Sequence, residues 1–244
     1  MKPEPQRLDL TDIALFLDLD GTLAPIMSRP DAVVPDIRRT KLLKDLQKRL
    51  KGRLAVVSGR EVSMVDCILE QAVMSVAGVH GLQRRTASGE RMDAVAPDVL
   101  MDVADVFLAM AEAHTGIVVE DKGLSVAVHY RHAPDLKADI LSKARELAEA
   151  NGLKLQGGHE VIELRTPGND KGDAIRAFLN EAPFAGYRPV FVGDDLTDEA
   201  GFVLVEQCGG FGVKVGGGES AASYTLNDSD AVINWLEESL LCLT

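Results

Sequence analysis

The chain has 244 residues, 46% of them hydrophobic, so it can form a large core and is not a disordered protein. Its 26 Lys and Arg stand against 38 Asp and Glu, and the net charge of −12 argues against nonspecific binding to nucleic acid or to an anionic membrane. The cysteines Cys67, Cys208 and Cys242 are widely separated, which favours reduced thiols in a cytoplasmic protein. No signal peptide or membrane-spanning segment is predicted. The oligomeric state is not determined by the sequence, and a monomer is compatible with it.

The first predicted element is a buried strand that ends in two aspartates. The apolar run that begins at Ala14 is typical of a strand buried on both faces, and it ends in Asp18, Leu19 and Asp20, directly before Gly21. Burying carboxylates beside such a strand is costly unless something compensates. The pair therefore indicates a site for a hard cation and for chemistry on an anion. The alternative is an ordinary turn at Asp20 and Gly21, with Asp18 as its cap.

Four further elements give a β-α-β-α-β order in the first third of the chain. They are a helix over 36–51, a strand within 53–60, a helix over 61–71 and a strand over 74–79. This order predicts a parallel doubly wound sheet. Ser58, Gly59 and Arg60 end the second strand, at the same predicted edge as Asp18. A hydroxyl and backbone N–H groups at the start of a helix suit a phosphate, and a simple helix cap by Ser58 is the alternative.

The order of elements then changes. A helix over 98–114 is followed by strands over 116–120 and 124–130, a helix over 134–150, and strands over 153–156 and 160–165. This order favours a separate small sheet with helices on one face. The α/β alternation resumes with a helix over 171–180, a strand over 189–193, a helix over 197–206, a strand over 212–215 and a helix over 230–241. We therefore predict an α/β fold, with a Rossmann-like doubly wound core over 1–84 and 167–244 and an inserted α+β cap domain over 85–166.

Two patterns in the last third of the chain point to the same edge of the predicted sheet. Lys171 opens a helix, where its charge opposes the helix dipole, so neutralisation of phosphate and carboxylates would explain it; a solvated surface lysine is the alternative. Another buried strand runs into Asp194, Asp195, Asp198 and Glu199, and such crowding is repulsive unless a cation or protons relieve it. Helix capping accounts for Asp195 but not for Asp194, which directly follows the strand.

Together these motifs resemble the haloacid dehalogenase-like phosphohydrolases. They are DLDGT (18–22), VVSGR (56–60), Lys171 and GDDLTDE (193–199). The position of the insert, between the second and third motifs, is similar to that of the family's larger sugar-phosphatase caps. A narrower resemblance, to the trehalose-6-phosphate phosphatases, rests on VEDKG (119–123), HYR (129–131), ELR (163–165), NDKGDAI (169–175) and the VHGL stretch (79–82).

The resemblance implies a role for each residue of the core motifs. Asp18 would attack phosphorus and form an aspartyl phosphate, and Asp20 would protonate the leaving oxygen and then activate water. Mg²⁺ would be held by Asp18, the backbone carbonyl of Asp20 and Asp194, with Asp195 and Asp198 acting behind them or through water. Ser58 and Lys171 would be catalytic groups on the phosphoryl oxygens. The other core residues expected to bind substrate are Leu19, Gly59 and Arg60.

The predicted cap should select the substrate. By resemblance, the sugar would be bound by Glu120, Lys122, Arg131 and Glu163, while His129, Arg131 and Arg165 fit a solvated position or a cross-strand ion pair equally well. Neighbouring strand residues face opposite sides, so we expect that not all of these side chains share one cleft.

The resemblance thus implies a Mg²⁺-dependent phosphatase acting on trehalose 6-phosphate, a small-molecule partner, with no nucleic-acid or membrane partner. The alternatives are a phosphatase for a related sugar phosphate or glycosyl-phosphoglycerate, a phosphomutase, and a non-catalytic regulator that binds sugar phosphate. The complete set of Asp18, Asp20 and Asp194 argues against the regulator, because binding alone needs no nucleophile and acid.

Overall fold

The computed structural model describes residues 2–27, 29–158 and 160–241, so Cys242 lies outside the described residues. The described chain divides into two compact units. The core unit contains the residues up to Met92 and those from Asn169 onward, and the insert unit contains Asp93–Gly168. Within the described residues, no helix is both long and apolar enough to cross a membrane.

The core unit is built on an eight-stranded sheet. In chain order its strands are β1 (Ile13–Leu17), β2 (Leu54–Val57), β3 (Ser75–Gly78), β4 (Gln83–Arg85), β5 (Arg91–Asp93), β10 (Arg188–Gly193), β11 (Phe211–Val215) and β12 (Tyr224–Leu226). The order across the sheet is β12-β11-β10-β1-β2-β3-β4-β5, and the strands from β12 to β3 pair in parallel. Its helices are α1 (Ile37–Arg49), α2 (Val62–Leu69), α5 (Lys171–Leu179), α6 (Glu199–Gln207) and α7 (Ser229–Leu241). The predicted α/β class with a parallel sheet is confirmed.

The central strands are buried on both faces, as their continuous apolar runs indicate. All five residues of β1 are buried. Leu15 and Leu17 pack into one hydrophobic cluster, and Ala14 and Phe16 pack into a second cluster. The alternation of side chains along a strand places these clusters on opposite faces of the sheet. A charged group at the end of such a strand therefore enters a dry environment.

The insert unit is a four-stranded antiparallel sheet with two helices. Its elements are α3 (Val99–Ala113), β6 (Val118–Asp121), β7 (Ser125–His129), α4 (Lys137–Asn151), β8 (Lys154–Gly158) and β9 (Val161–Arg165), with the strand order β6-β7-β9-β8. Val126, Val128, Ile162 and Leu164 form a hydrophobic cluster with residues of both helices. The opposite face of the sheet is polar.

Three short strands, β4, β5 and β12, are absent from the sequence-based prediction. Two of them read QRR and RMD and contain no buried residue, so they lack the apolar run that reveals a central strand. Strand β4 pairs with β3 in the antiparallel sense and extends the core sheet. The boundaries between the two units along the chain lie at 92/93 and 168/169, whereas the sequence predicts them at 84/85 and 166/167.

Candidate active site

The core motifs meet at the carboxyl ends of neighbouring strands. Asp18 directly follows β1, Ser58 follows β2 and Asp194 follows β10, and these three strands are adjacent in the sheet. Helix α5 begins at Lys171 and is fixed by a capping box, in which Asp170 accepts from the Asp173 N–H and Asp173 accepts from the Asp170 N–H. Parallel strands present their carboxyl ends at one edge, which is where ligands bind in open α/β sheets.

Lys171 is a buried lysine held between two carboxylates. Its Nζ donates to Asp18 Oδ1 at 2.8 Å and to Asp198 Oδ1 at 2.6 Å, and the residue is 2% exposed. Burial lowers the pKa of Lys171, but the charges and hydrogen bonds of the two carboxylates outweigh burial and raise it above its ordinary value. The group is therefore a permanent ammonium at the end of β1. The burial of Lys171 excludes the alternative that it is a solvated surface lysine.

Three carboxylates form a compact acidic cluster, which consists of Asp18, Asp194 and Asp198. Each offers an oxygen that lies within 4.8 Å of those of the others. Burial raises the pKa of Asp18 well above its ordinary range, against the opposing charge of Lys171. Burial, followed by the charge of Asp198, raises the pKa of Asp194 to about 7. Carboxylates forced together in this way favour a bound cation or a shared proton, and their oxygens are ligands of the kind that a hard divalent metal prefers.

Gly21 is required by the position of Asp194. Its φ is +79°, in the left-handed region that favours glycine, and a Cβ at this position would overlap the Asp194 carboxylate. The Gly-led turn after Asp20 thus makes room for the acidic cluster.

Asp198 organises the loop that carries Asp194. Its Oδ2 accepts from the N–H groups of Asp194 and Asp195, at 3.0 and 2.9 Å, and its Oδ1 is occupied by Lys171. Asp195 caps the short 3₁₀ turn that follows, with its side chain accepting from the Leu196 N–H. Because both oxygens of Asp198 are already engaged, Asp18 and Asp194 are the members of the cluster best able to hold an ion directly.

Asp20 is paired with Arg60 rather than with the acidic cluster. Arg60 Nε donates to Asp20 Oδ2 and Arg60 Nη2 to Asp20 Oδ1, each at 2.7 Å. Arg60 is buried, whereas the Asp20 side chain is 38% exposed. This forked geometry holds both carboxylate oxygens in one plane.

Ser58 and Gly59 form a tight turn after β2. Ser58 is buried, and its Oγ accepts from the Arg60 N–H at 3.1 Å, so the hydroxyl supports this turn. The ring of His80 lies against Gly59, where a Cβ would come within 2.8 Å of its Cε1. Leu19 is fully buried in the hydrophobic core, and its backbone carbonyl accepts from the N–H groups of Leu23 and Ala24.

In the insert unit, the polar face of the sheet brings the predicted sugar-binding residues of its strands together. The strand register places Glu120, Ala127, Glu163 and Gln156 in one row across β6, β7, β9 and β8. His129 and Arg165 lie two residues from members of that row and share its face. Glu120 and Glu163 therefore lie on the same face of the sheet.

Glu163 is the centre of a buried polar cluster on that face. It is 5% exposed, its Oε1 accepts from Ser125 Oγ at 2.5 Å, and Lys122 Nζ lies 3.5 Å from the same atom. His129 Nε2 lies 3.0 Å from Glu120 Oε2, and Arg131 Nε donates to Glu160 Oε2 at 2.6 Å. Ser125 and Gln156 are missing from the predicted set, although strand alternation places both on the face of Glu163.

Comparison with known proteins assigns the family. The family model for trehalose-phosphatase matches residues 16–230 of the chain. The chain belongs to the trehalose-phosphatase family. A trehalose-6-phosphate phosphatase of Escherichia coli K12 is 39% identical over 226 residues, which cover 92% of this chain and 85% of that protein. The crystal structure of a trehalose-6-phosphate phosphatase related protein superposes with a TM-score of 0.80 at 28% identity, over 93% of this chain and 96% of that one.

A more distant structure supports the fold. A haloacid dehalogenase-like hydrolase from Bacteroides thetaiotaomicron superposes with a TM-score of 0.66 at 17% identity, over 93% of this chain and 99% of that one. Trehalose-phosphatases are phosphoric monoester hydrolases, so the predicted enzyme class and family are confirmed. The matched residues include all four core motifs and the whole insert unit.

Proposed function

We propose that the chain hydrolyses trehalose 6-phosphate to trehalose and phosphate, through an aspartyl phosphate on Asp18. The observation that carries the proposal is the buried contact of Lys171 with Asp18, which directly follows β1. The Asp194 carboxylate lies beside this contact. A carboxylate held at a strand end by an ammonium is positioned for in-line attack, and the ammonium stabilises the charge that develops on the phosphoryl oxygens.

Mg²⁺ fits the donors of this site. Asp18 and Asp194 offer carboxylate oxygens from neighbouring strands, and the backbone carbonyl of Asp20 is the third proposed ligand. Burial, and after it the charges of neighbouring carboxylates, raise the pKa values of Asp18 and Asp194, and a divalent cation would favour the charged form of both groups. When bound, the ion would screen the negative charge between nucleophile and phosphate.

The residues divide the two chemical steps between them. An Asp18 carboxylate oxygen forms a bond to phosphorus while the bond from phosphorus to the sugar oxygen breaks, and Asp20 gives that oxygen a proton. Water then attacks phosphorus, Asp20 takes a proton from it, and the bond between phosphorus and Asp18 breaks. The Ser58 hydroxyl, the Gly59 N–H and Lys171 bind the phosphoryl oxygens. Asp195 and Asp198 support the loop of Asp194.

The pair between Asp20 and Arg60 adds a condition to this mechanism. Both Asp20 oxygens accept from Arg60, so the pair must open, and the released carboxylate must take up a proton, before Asp20 can protonate the leaving oxygen. An incoming phosphate is a competing partner for the Arg60 guanidinium. Arg60 would thus bind substrate and release Asp20 in the same event.

The insert unit would act as the cap that recognises the sugar. Glu120, Lys122 and Glu163 share one polar face, and Arg131 lies at the end of the neighbouring strand. Carboxylates and an ammonium that are largely shielded from water discriminate well between patterns of sugar hydroxyls.

The deciding experiment is phosphate release from trehalose 6-phosphate and from glucose 6-phosphate, each with Mg²⁺ or with a chelator. We expect release from trehalose 6-phosphate with Mg²⁺ only. Faster phosphate release from another sugar phosphate or a glycosyl-phosphoglycerate would indicate that this compound is the substrate instead. Transfer of the phosphoryl group to a second sugar hydroxyl would indicate a mutase. Binding without release would indicate the regulator.

We also propose a cytoplasmic location. It is supported by the free and exposed thiols of Cys67 and Cys208, which a reducing compartment preserves. The proposed partner is the sugar phosphate alone.

A further inference from the structure

Lys214 is a second buried lysine beside the acidic cluster, and none of the core motifs includes it. It lies on β11, is 9% exposed, and is the register partner of Gly193 on β10. Its Nζ donates to the backbone carbonyls of Asp194 and Val215. Within the described residues, its ammonium forms no ion pair. A buried ammonium with only carbonyl partners is costly, and an apolar residue would suit a strand interior better.

The contacts of Lys214 complete a clamp on one peptide group. The carbonyl of Asp194 and the N–H of Asp195 belong to the same peptide plane. Lys214 holds the carbonyl, while Asp198 Oδ2 accepts from the N–H at 2.9 Å. Asp198 also accepts from the N–H of Asp194 itself, at 3.0 Å. The backbone is therefore fixed on both sides of the Asp194 side chain, which leaves the carboxylate directed at Asp18.

We propose that Lys214 is a positioning residue for metal binding, which acts by fixing the backbone of Asp194. The inference rests on the proposed function, because it takes Asp194 to be a metal ligand. Groups that orient a ligand in this way typically contribute about 10- to 100-fold to metal affinity.

The sign of the effect distinguishes this role from electrostatics. Lys214 repels a bound cation, but its charge also lowers the pKa of Asp194. The titration below is therefore made at a pH well above 7, where Asp194 is ionised and removal of the Lys214 charge by itself would favour a bound cation. Loss of the clamp would disfavour the cation, because Asp194 would have to be ordered again upon binding. Weaker Mg²⁺ binding in a variant that has lost a positive charge therefore reports the clamp.

The test is calorimetric titration of Mg²⁺ into the substrate-free protein, for the wild type, Lys214→Met and the control Lys44→Met. Lys44 is exposed on α1, and its variant has the same net charge. We expect the Mg²⁺ dissociation constant to rise at least about tenfold in Lys214→Met and to be unchanged in Lys44→Met. The Mg²⁺ concentration for half-maximal phosphate release should rise in parallel.

Equal or tighter Mg²⁺ binding by Lys214→Met would overturn the inference. If that variant does not fold, Lys214→Gln supplies a neutral but polar side chain, and the same direction is required of it. Failure of the wild type to bind Mg²⁺ would instead refute the metal site in the proposed function, so the two failures are distinguishable.

Discussion

The two units present charged side chains by different structural means. In the core unit, groups far apart in sequence meet because parallel strands end at one edge, as with Asp18 and Lys171. In the insert unit, side chains meet because antiparallel register aligns them in a row, as with Glu120 and Glu163. A strand end places a few groups around one point, which suits a reacting atom. A sheet face spreads groups over an area, which suits a sugar with many hydroxyls.

This comparison predicts that the two units can be separated kinetically. Core substitutions should impair every phosphate ester, whereas insert substitutions should impair only the sugar phosphate. A small aryl phosphate, such as p-nitrophenyl phosphate, offers the phosphoryl group without the sugar and serves as the comparison substrate.

The largest expected effect is that of Asp18→Asn. An amide cannot act as the nucleophile, so turnover of both substrates should fall by at least about four orders of magnitude. Acid-quenched reactions should show no trapped aspartyl phosphate, while circular dichroism should show an unchanged fold. Substantial phosphate release by this variant would refute the nucleophile assignment.

The next effect is that of Lys122→Ala and Glu163→Ala in the insert unit. Loss of a charged hydrogen-bonding group should lower kcat/KM for trehalose 6-phosphate roughly 10- to 100-fold, with turnover of the aryl phosphate nearly unchanged. Steady-state kinetics on both substrates measures the difference. An unchanged kcat/KM for trehalose 6-phosphate would show that the polar face does not bind the sugar.

A smaller effect is expected for the Ser125 hydroxyl, which donates to Glu163. Ser125→Ala should raise KM for trehalose 6-phosphate about two- to tenfold, because Glu163 loses one hydrogen-bond donor that holds its side chain in place. Ser125→Thr retains the hydroxyl and is the matched control, for which we expect recovery. Equal KM values for the alanine variant and the wild type would confine Ser125 to a structural role.

The smallest effect concerns stability and is confined to the core unit. The pKa of Asp194 is about 7 in the folded protein, against an ordinary value of 3.8. The folded state therefore binds more protons than the unfolded state in that window, so the metal-free protein should lose stability as the pH rises from about 4 to 7, by at most a few kcal/mol. Thermal unfolding measures this, and Mg²⁺ should restore more stability at pH 8 than at pH 5.

Asp194→Asn is the control for the pH effect, because it removes the titrating group. Its melting temperature should depend less on pH over the same window and should respond less to Mg²⁺. A wild-type melting temperature that rises through this window without metal would contradict the assignment.

How far the sequence predicts the site differs between the two units. In the core, apolar runs that end in polar residues identify β1, β2 and β10, and the parallel topology then places their ends together. In the insert, the sequence locates the strands but not their register, so it cannot show that Glu120 and Glu163 lie in one row. Strands β4 and β5 are not predicted because both are short and lack a buried apolar run.

By itself, the sequence determined the α/β class, the insert and the identity of the core motifs. These features depend on apolar runs, on the order of elements and on motif spacing, all of which are local properties of the chain. Only the tertiary structure decided which charges meet. It placed Lys171 between Asp18 and Asp198, paired Asp20 with Arg60, and brought Lys214 to the Asp194 carbonyl. Such contacts depend on where distant segments of the chain are brought together, and no local pattern encodes that.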